Sequence, residues 1–305
     1  MFLPDVVHTF GKAMRWKYGE KIHKICINAS MTCPNMDGMA GRGGCTFCNN
    51  ASFNPNAKQP PPISEQICAG KRVVKKRTGA KKYIAYFQAY SNTYAELEYL
   101  KLLYDNALAD PLIIGLCVGT RPDCVPDPVL KLLADYQHQG YEVWLELGLQ
   151  SAFDKSLKRV NRGHGFAEYV DAMRRAKQYK LQVCTHLIIG LPGETPEQSL
   201  ISHARVMDIG TQGLKLHPLH VVKGTQLAKQ WRRGEYQAME FEKYIEVATK
   251  IIKNTPDSII FHRLTATAAP ELLLAPEWCS KKWLVLNAIH DRLRLIHNTH
   301  LNTIN

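Results

Sequence analysis

The chain is 305 residues long, with 45% hydrophobic and 22% charged residues and a formal net charge of +12; these proportions exclude a disordered, collagen-like or bilayer-spanning chain and leave an ordinary globular one. Its nine cysteines, an odd number, argue against a disulfide framework and for a reducing cytosol in which thiols stay available as ligands. That length suits two average domains or one α/β barrel, and the surplus of lysine and arginine favours polyanionic partners without bearing on the fold.

In chain order, residues 1–21 end in the basic and aromatic run Lys12 to Lys21 and are expected to form a surface arm. Residues 24–29, KICINA, are isoleucine-rich and read as a buried parallel strand feeding a loop, with Cys26 expected in the core rather than as a ligand. After Pro60-Pro61-Pro62, which no helix interior or central strand accommodates, residues 63–78 have a helical pattern with Ser64 as N-cap and a basic C-terminal end. Strands over 83–90, 112–118, 143–150, 183–189 and 214–222 then alternate with helices over 96–108, 128–139 and 196–209. A helical stretch over 153–179, broken around 162–165, fills the remaining gap. Six βα units in series predict a parallel sheet closed, or nearly closed, into a barrel over 22–223. Beyond Gly224 the pattern loosens into helices over 236–254 and 278–295 around a strand over 258–261, so 224–305 reads as a C-terminal extension packed on the barrel. With no apolar run long enough for a bilayer and no charged and apolar leader at Met1, the expected location is the cytoplasm, with no membrane partner.

The segment MTCPNMDGMAGRGGCTFCNN, residues 31–50, carries Cys33, Cys45 and Cys48 in the spacing C-x11-C-x2-C. Two thiols three residues apart reach one metal centre without strain, and Gly41, Gly43 and Gly44 let the loop fold back to bring Cys33 alongside. Three thiolates imply an iron–sulfur cluster with one open iron; a zinc knuckle completed by Cys26 or His23 is the alternative.

In such barrels chemistry gathers where strands end. The first strand feeds the cysteine loop, the second Gln88, Ser91, Asn92 and Thr93, and the third GTRPD at 119–123. The fourth carries Glu146, Gln150 and Ser151, the fifth GLPGE at 190–194, and the sixth Lys215, His217, His220 and Lys223. His262 and Arg263 follow the last strand. Glu146, Gly148 and Gln150 share one face by the period of two, a costly burial unless a bound polar ligand, or for Glu146 an internal salt bridge such as one to Arg121, supplies a partner.

The order C-x11-C-x2-C, GTRPD, ELGLQS (146–151), NRGH (161–164), GLPGE and HPLHVVKG (217–224) resembles radical S-adenosylmethionine (SAM) enzymes, in particular the YhcC/YtqA group of the elongator-type branch, from about Trp16 to Trp283. The eleven-residue gap departs from the three residues commonest in the superfamily and matches that branch. The resemblance implies a partial (βα)6 TIM-like barrel in which Cys33, Cys45 and Cys48 bind a [4Fe-4S] cluster. It further implies that SAM chelates the open iron and is cleaved reductively to a 5′-deoxyadenosyl radical that abstracts hydrogen from a substrate. By the same resemblance Glu146 and Gln150 bind the ribose and methionyl part of the cofactor, Arg162 its carboxylate, Gln88 its amino group, and Phe47 with Leu191 its adenine. His217, His220, His262 and Arg263 are left as substrate-side candidates. Elongator-type relatives act at the wobble uridine of tRNA, and a one-electron donor such as flavodoxin or ferredoxin is implied. With the basic runs around residues 12–24 and 71–82, and with Trp16 and Tyr18 placed to stack on unpaired bases, this points to a tRNA substrate. A small metabolite or a protein is the alternative within the class. Outside the class, the alternative is a nonenzymatic zinc-binding nucleic-acid-binding protein.

Overall fold

The computed structural model describes residues 3–52 and 59–302. The chain begins with α1 (Leu3–Val6), α2 (Phe10–Tyr18), β1 (Ile22–Ile27) and α3 (Pro34–Asp37). The alternating region is α4 (Ile63–Thr78), β2 (Lys82–Phe87), α5 (Leu97–Leu108), β3 (Ile113–Thr120), α6 (Asp127–His138), β4 (Glu142–Gln150), α7 (Asp154–Arg159), α8 (Phe166–Gln178), β5 (Gln182–Ile189), α9 (Pro196–Ile209) and β6 (Gly213–Pro218). There follow β7 (Val221–Val222), α10 (Gln226–Arg232), α11 (Phe241–Lys253), β8 (Ile260–Arg263), β9 (Leu273–Ala275) and α12 (Lys282–Asn302).

Seven strands form one parallel sheet in the order β1-β2-β3-β4-β5-β6-β8, curled into an open barrel whose two edges are β1 and β8. The expected six units are present, and the sheet gains a seventh strand from the C-terminal region, so the barrel does not end at Gly224. The expected strand over 214–222 splits: β6 stops at Pro218, and Val221–Val222 pairs antiparallel with β9 in a separate ribbon. The strand expected over 83–90 stops at Phe87, because Ala89 and Tyr90 take left-handed backbone (φ 79° and 61°). The helix after the proline run is N-capped by Pro62 rather than Ser64.

The larger core lies between the sheet and its outer helices; it includes Ile25, Ile27, Ala85, Phe87, Leu145, Leu147, Leu214 and Leu216, the alternate residues of their strands. A smaller core fills the start of the barrel. Here Phe10, Ala13 and Met14 of α2 pack on Ile22, Ile84, Tyr86, Cys117, Trp144 and Cys184 from the inward faces of β1 to β5. The expected surface arm is therefore a plug on one side, because its apolar residues recur at helical spacing and the barrel would otherwise expose its interior. Thr9 caps this helix by accepting from the Lys12 N–H, and the His8 carbonyl accepts from Phe261 on the free edge of β8. Lys17 and Tyr18 both reach Glu142 at 2.6 Å, whereas Trp16 is 89% exposed. The basic run of α2 thus lies where strands begin, at the opposite end from the cysteine loop.

Candidate cofactor and substrate cavity

Cys33 follows β1 and sits at the N-cap of α3, while Cys45 and Cys48 close the same loop, with the Cys48 N–H donating to the Cys45 carbonyl (3.0 Å). Gly43 and Gly44 both have left-handed backbone (φ 78° and 73°), which turns the loop back as their spacing suggested. The return is held from outside by the NRGH segment after α7. Asn161 donates to the carbonyls of Arg42 (3.0 Å) and Gly44 (2.8 Å), and the Val160 carbonyl accepts from Thr46. Arg121 of GTRPD, 1% exposed, is clamped by Asp123 (2.7 and 2.9 Å) and donates through Nη1 to the Arg162 carbonyl (2.7 Å). Two of the motifs are thus scaffolding: GTRPD orders NRGH, and NRGH orders the cysteines.

All three thiols line one cavity of about 850 Å³ at the barrel mouth. Burial, together with the neighbouring sulfurs of Cys45 and Cys33, pushes the Cys48 thiol up to about 12. Three thiolates cannot gather here without a cation, so the donor set fits a metal cluster rather than free thiols. Arg162 stands beside them, 8% exposed, donating from Nη1 to the Cys45 sulfur (3.4 Å) and from Nη2 to the Gly148 carbonyl (2.7 Å). Its Nε is buried without a partner, an unsatisfied donor that an anionic group could pair with. Gly148 makes this approach feasible, since a Cβ there would stand 2.8 Å from Arg162 Nη2 and 2.9 Å from Gln150 Nε2.

Of the other expected cofactor residues, Phe47, Gln88 and Gln150 line the cavity. Leu191 lies behind Phe47, 2% exposed, in a small apolar cluster with Val160 and Leu219. Gln150 has φ 79°, and the register between β4 and β5 shifts beside it, which re-aims its amide.

Glu146 does not line the cavity. It is fully buried, and its two oxygens are taken by Lys24 (2.7 Å), Lys215 and His186 (3.0 Å), with His262 Nδ1 at 3.4 Å. Burial alone would raise this carboxyl, but Lys215 and Lys24 hold it well below the usual carboxylate value. The geometry matches the internal salt bridge, with lysines in place of Arg121, which pairs with Asp123 instead. Burial lowers Lys215 to about 8, partly offset by Glu146. Burial and Lys215 together lower His186 to about 4. A neutral His186 beside an ionised carboxylate must donate from Nε2, which leaves Nδ1 as an acceptor.

His217, His220 and Arg263 line the cavity, but His262 does not. Its ring is wedged against Trp144 (4.3 Å between centroids) and Phe10 (4.5 Å), and Nδ1 accepts from Lys24 at 2.9 Å. The cause is a register shift: Leu214 pairs with Phe261 and Lys215 with Arg263, so His262 is the extra residue of a bulge and the next residue also turns inward. Among the lining residues that the sequence reading did not assign to the site are Cys26 and His186. Cys26 is open to the cavity rather than buried in the core, and His186 lies level with Gly148 on the next strand. The only available signal was inward parity with Glu146 and Lys24.

The cavity is roofed from the C-terminal side. The HPLHVVKG segment passes over the cysteine loop, where Asn49 donates to the Lys223 carbonyl (2.8 Å) and Leu227 N–H to the Thr46 carbonyl (2.8 Å). The segment after β8 closes it further, with Ala269 N–H on the Ser52 carbonyl (2.7 Å).

Comparison with known proteins gives consistent matches. Residues 40–202 match the family described as the Radical SAM superfamily, and residues 211–294 the Radical_SAM C-terminal domain. Protein YhcC of Escherichia coli K12 is 50% identical over 283 residues, covering 93% of this chain and 91% of its own. The tRNA uridine(34) acetyltransferase of Dehalococcoides mccartyi is 34% identical over 134 residues, 43% of this chain and 28% of that one. The solved structure of the archaeal Methanocaldococcus infernus Elp3, with residues 1–46 deleted, superposes with a TM-score of 0.66 at 20% identity, over 89% of this chain and 63% of that one.

Proposed function

The chain belongs to the radical SAM superfamily, in the elongator-type branch with YhcC, and on that premise we propose that Cys33, Cys45 and Cys48 are the ligands of its [4Fe-4S] cluster. The observation that carries the assignment is that three thiols line one cavity beside a buried arginine whose Nε is without a partner. When bound, cluster and SAM together supply a 5′-deoxyadenosyl radical. The protein's part is to bind, orient and seclude. Arg162, fixed by the Gly148 carbonyl and by Arg121 behind it, offers Nε to the carboxylate of SAM. Gln88 and Gln150 offer amide groups to its amino and ribose parts, and Phe47, backed by Leu191, offers an apolar face to its adenine. The roof made by 217–224 and the chain after β8 covers part of that site. Glu146 takes no part in cofactor binding here; it neutralises Lys24 and Lys215 beneath the site and fixes the tautomer of His186.

For the substrate we propose a tRNA, attacked at a uridine in an exposed loop, with a flavodoxin- or ferredoxin-type protein as one-electron donor. The partial likeness to a tRNA uridine(34) acetyltransferase supports this reading, as does the net charge of +12. The exposed Trp16 and the basic residues of α2 lie at the far end of the barrel, so they serve as outlying contacts rather than as the reacting site.

The test is purification without oxygen followed by metal analysis and nucleoside profiling. Iron and sulfide in about equal amounts are expected, as a cubane requires. Stoichiometric zinc in their place would overturn the cluster. Unaltered tRNA nucleosides in cells lacking the protein, with no affinity for bulk tRNA at low salt, would overturn the substrate.

A further inference from the structure

The cavity has two chemically different walls. One carries the cysteines, Arg162 and Gln150 and is accounted for by the cluster and SAM. The other comes from β5, β6 and the turn after it, β8, the end of α4 and the start of α12, and carries His186, His217, His220, Arg263, Arg77 and Lys282. Among the described residues none of Arg263, Arg77 and Lys282 is paired with a carboxylate, and Glu271, at the exposed rim, is the one acidic residue on the lining.

These cations lie close enough to repel. Lys282 is lowered by partial burial and then by the charges of Arg263 and Arg77, and His23 by burial, Arg77, Lys21 and Lys282. His217 lies well below its ordinary value through burial, Arg263 and the neighbouring His186. Its Nε2, like that of His220, is buried without a partner. Gathering like charges beside unsatisfied imidazoles is costly; Lys24 and Lys215, by contrast, are matched by Glu146, and Arg121 by Asp123. What the fold leaves unmet here is the pair of buried, unpartnered imidazole nitrogens beside the half-buried Arg263, and a ligand can meet both. The arrangement also has direction. Arg263 is turned inward by the β8 bulge, while Arg77 and Lys282 stand along the open seam between β1 and β8, where the sheet does not close.

We propose that this wall is a phosphate-binding subsite for the substrate: Arg263 with His217 and His220 grips one phosphate group next to the reacting atom, and Arg77 and Lys282 guide phosphate-bearing substrate in through the β1–β8 seam. A forked guanidinium beside the unpartnered ring nitrogen of His217 suits a tetrahedral anion with several acceptor oxygens, and an anion bound there would favour protonation of His220, whose Nε2 is also unpartnered. Two exposed cations farther out exceed what a single carboxylate needs. The proposal rests on the radical SAM reading for its second wall, and it deepens the substrate class of that same cavity.

The experiment uses the full chain purified without oxygen with its cluster, and titrates inorganic phosphate, acetate, uridine 5′-monophosphate and a uridine-containing RNA stem-loop by calorimetry, with SAM titrated in parallel. Phosphate and the monophosphate are expected to bind saturably, and Arg263→Ala to weaken both by about tenfold, a typical loss for a charge-assisted contact. Lys282→Ala, at an exposed position where folding is not at stake, should weaken them severalfold, whereas the exposed control Lys131→Ala, on α6 and outside the cavity, should change nothing. The stem-loop following the same order of variants identifies a nucleic-acid phosphate; the monophosphate alone following it identifies a free nucleotide. Equal phosphate affinity in wild type, Arg263→Ala and Lys282→Ala, or acetate binding as tightly as phosphate, would overturn the subsite. If SAM still binds in that case, the subsite alone is lost. Failure of SAM to bind the wild type would instead count against the cofactor assignment.

Discussion

Replacing Glu146 by Gln separates a structural from a cofactor role. The carboxylate is fully buried between Lys24, whose side chain is 16% exposed, and Lys215, whose side chain is 2% exposed. Removing its charge leaves both ammonium groups without a counter-ion, a change that costs about 3–5 kcal/mol when one partner of a buried pair is lost. Glutamine keeps one acceptor oxygen and Lys215 is already lowered to about 8, so partial deprotonation softens the loss; the lower end, about 3 kcal/mol, is expected. With a denaturant slope of about 3 kcal/mol/M for a chain larger than the usual small domain, the urea midpoint should fall by about 1 M, read anaerobically by far-ultraviolet circular dichroism. SAM affinity of the folded variant should stay within about twofold of wild type, since Glu146 is fully buried and does not line the cavity. The double variant Glu146→Gln/Lys215→Met should recover part of the stability, because the stranded charge goes with its partner. An unchanged midpoint together with a tenfold loss of SAM affinity would refute the reasoning and place Glu146 in the cofactor site.

Alanine at Cys33, Cys45 or Cys48 should abolish bound iron, measured by metal analysis of anaerobically purified protein, while Cys26→Ala, though it lines the same cavity, should keep it; the opposite result would move the ligand set. Gly148→Ala places a methyl group 2.8 Å from Arg162 Nη2 and should weaken SAM binding by about tenfold with the cluster retained, seen as normal iron content and a raised dissociation constant. Stability should fall as the pH drops from about 6.5 toward 4. His186, His203 and His220 are each lowered to about 4, chiefly by burial, so below the ordinary value the unfolded chain binds protons that the folded one does not. Each contributes a loss of at most about 1.4 kcal/mol per pH unit across that window. His203, 3% exposed and bonded to Thr255 at 2.8 Å, is remote from the cavity, so His203→Gln should flatten the dependence of melting temperature on pH without affecting SAM binding.

By itself the sequence determined what is local or periodic. The C-x11-C-x2-C spacing with its glycines is read within twenty residues, and the alternation of apolar runs with helical stretches fixes a parallel barrel, because each strand and each amphipathic helix carries its own period. The strand-end rule then placed Gln88, Gln150, His217 and His220 at one mouth, and the family resemblance added Arg162. Contacts between distant segments were decided only in the tertiary structure. The residues before β1 show a basic, aromatic surface in isolation, yet Phe10, Ala13 and Met14 plug the barrel, because the open end of the sheet supplies an apolar partner that no local pattern reveals. The partners of Glu146 come from β1, β5, β6 and β8, up to 122 residues away along the chain for Lys24, and nothing within β4 distinguishes an internal ion pair from a cofactor contact. A single extra residue at the β6–β8 pairing buries His262 against Trp144 and swings Arg263 into the cavity. Period-two reading cannot separate two adjacent residues that both turn inward, since a bulge is set by the register with a neighbouring strand rather than by the sequence of its own.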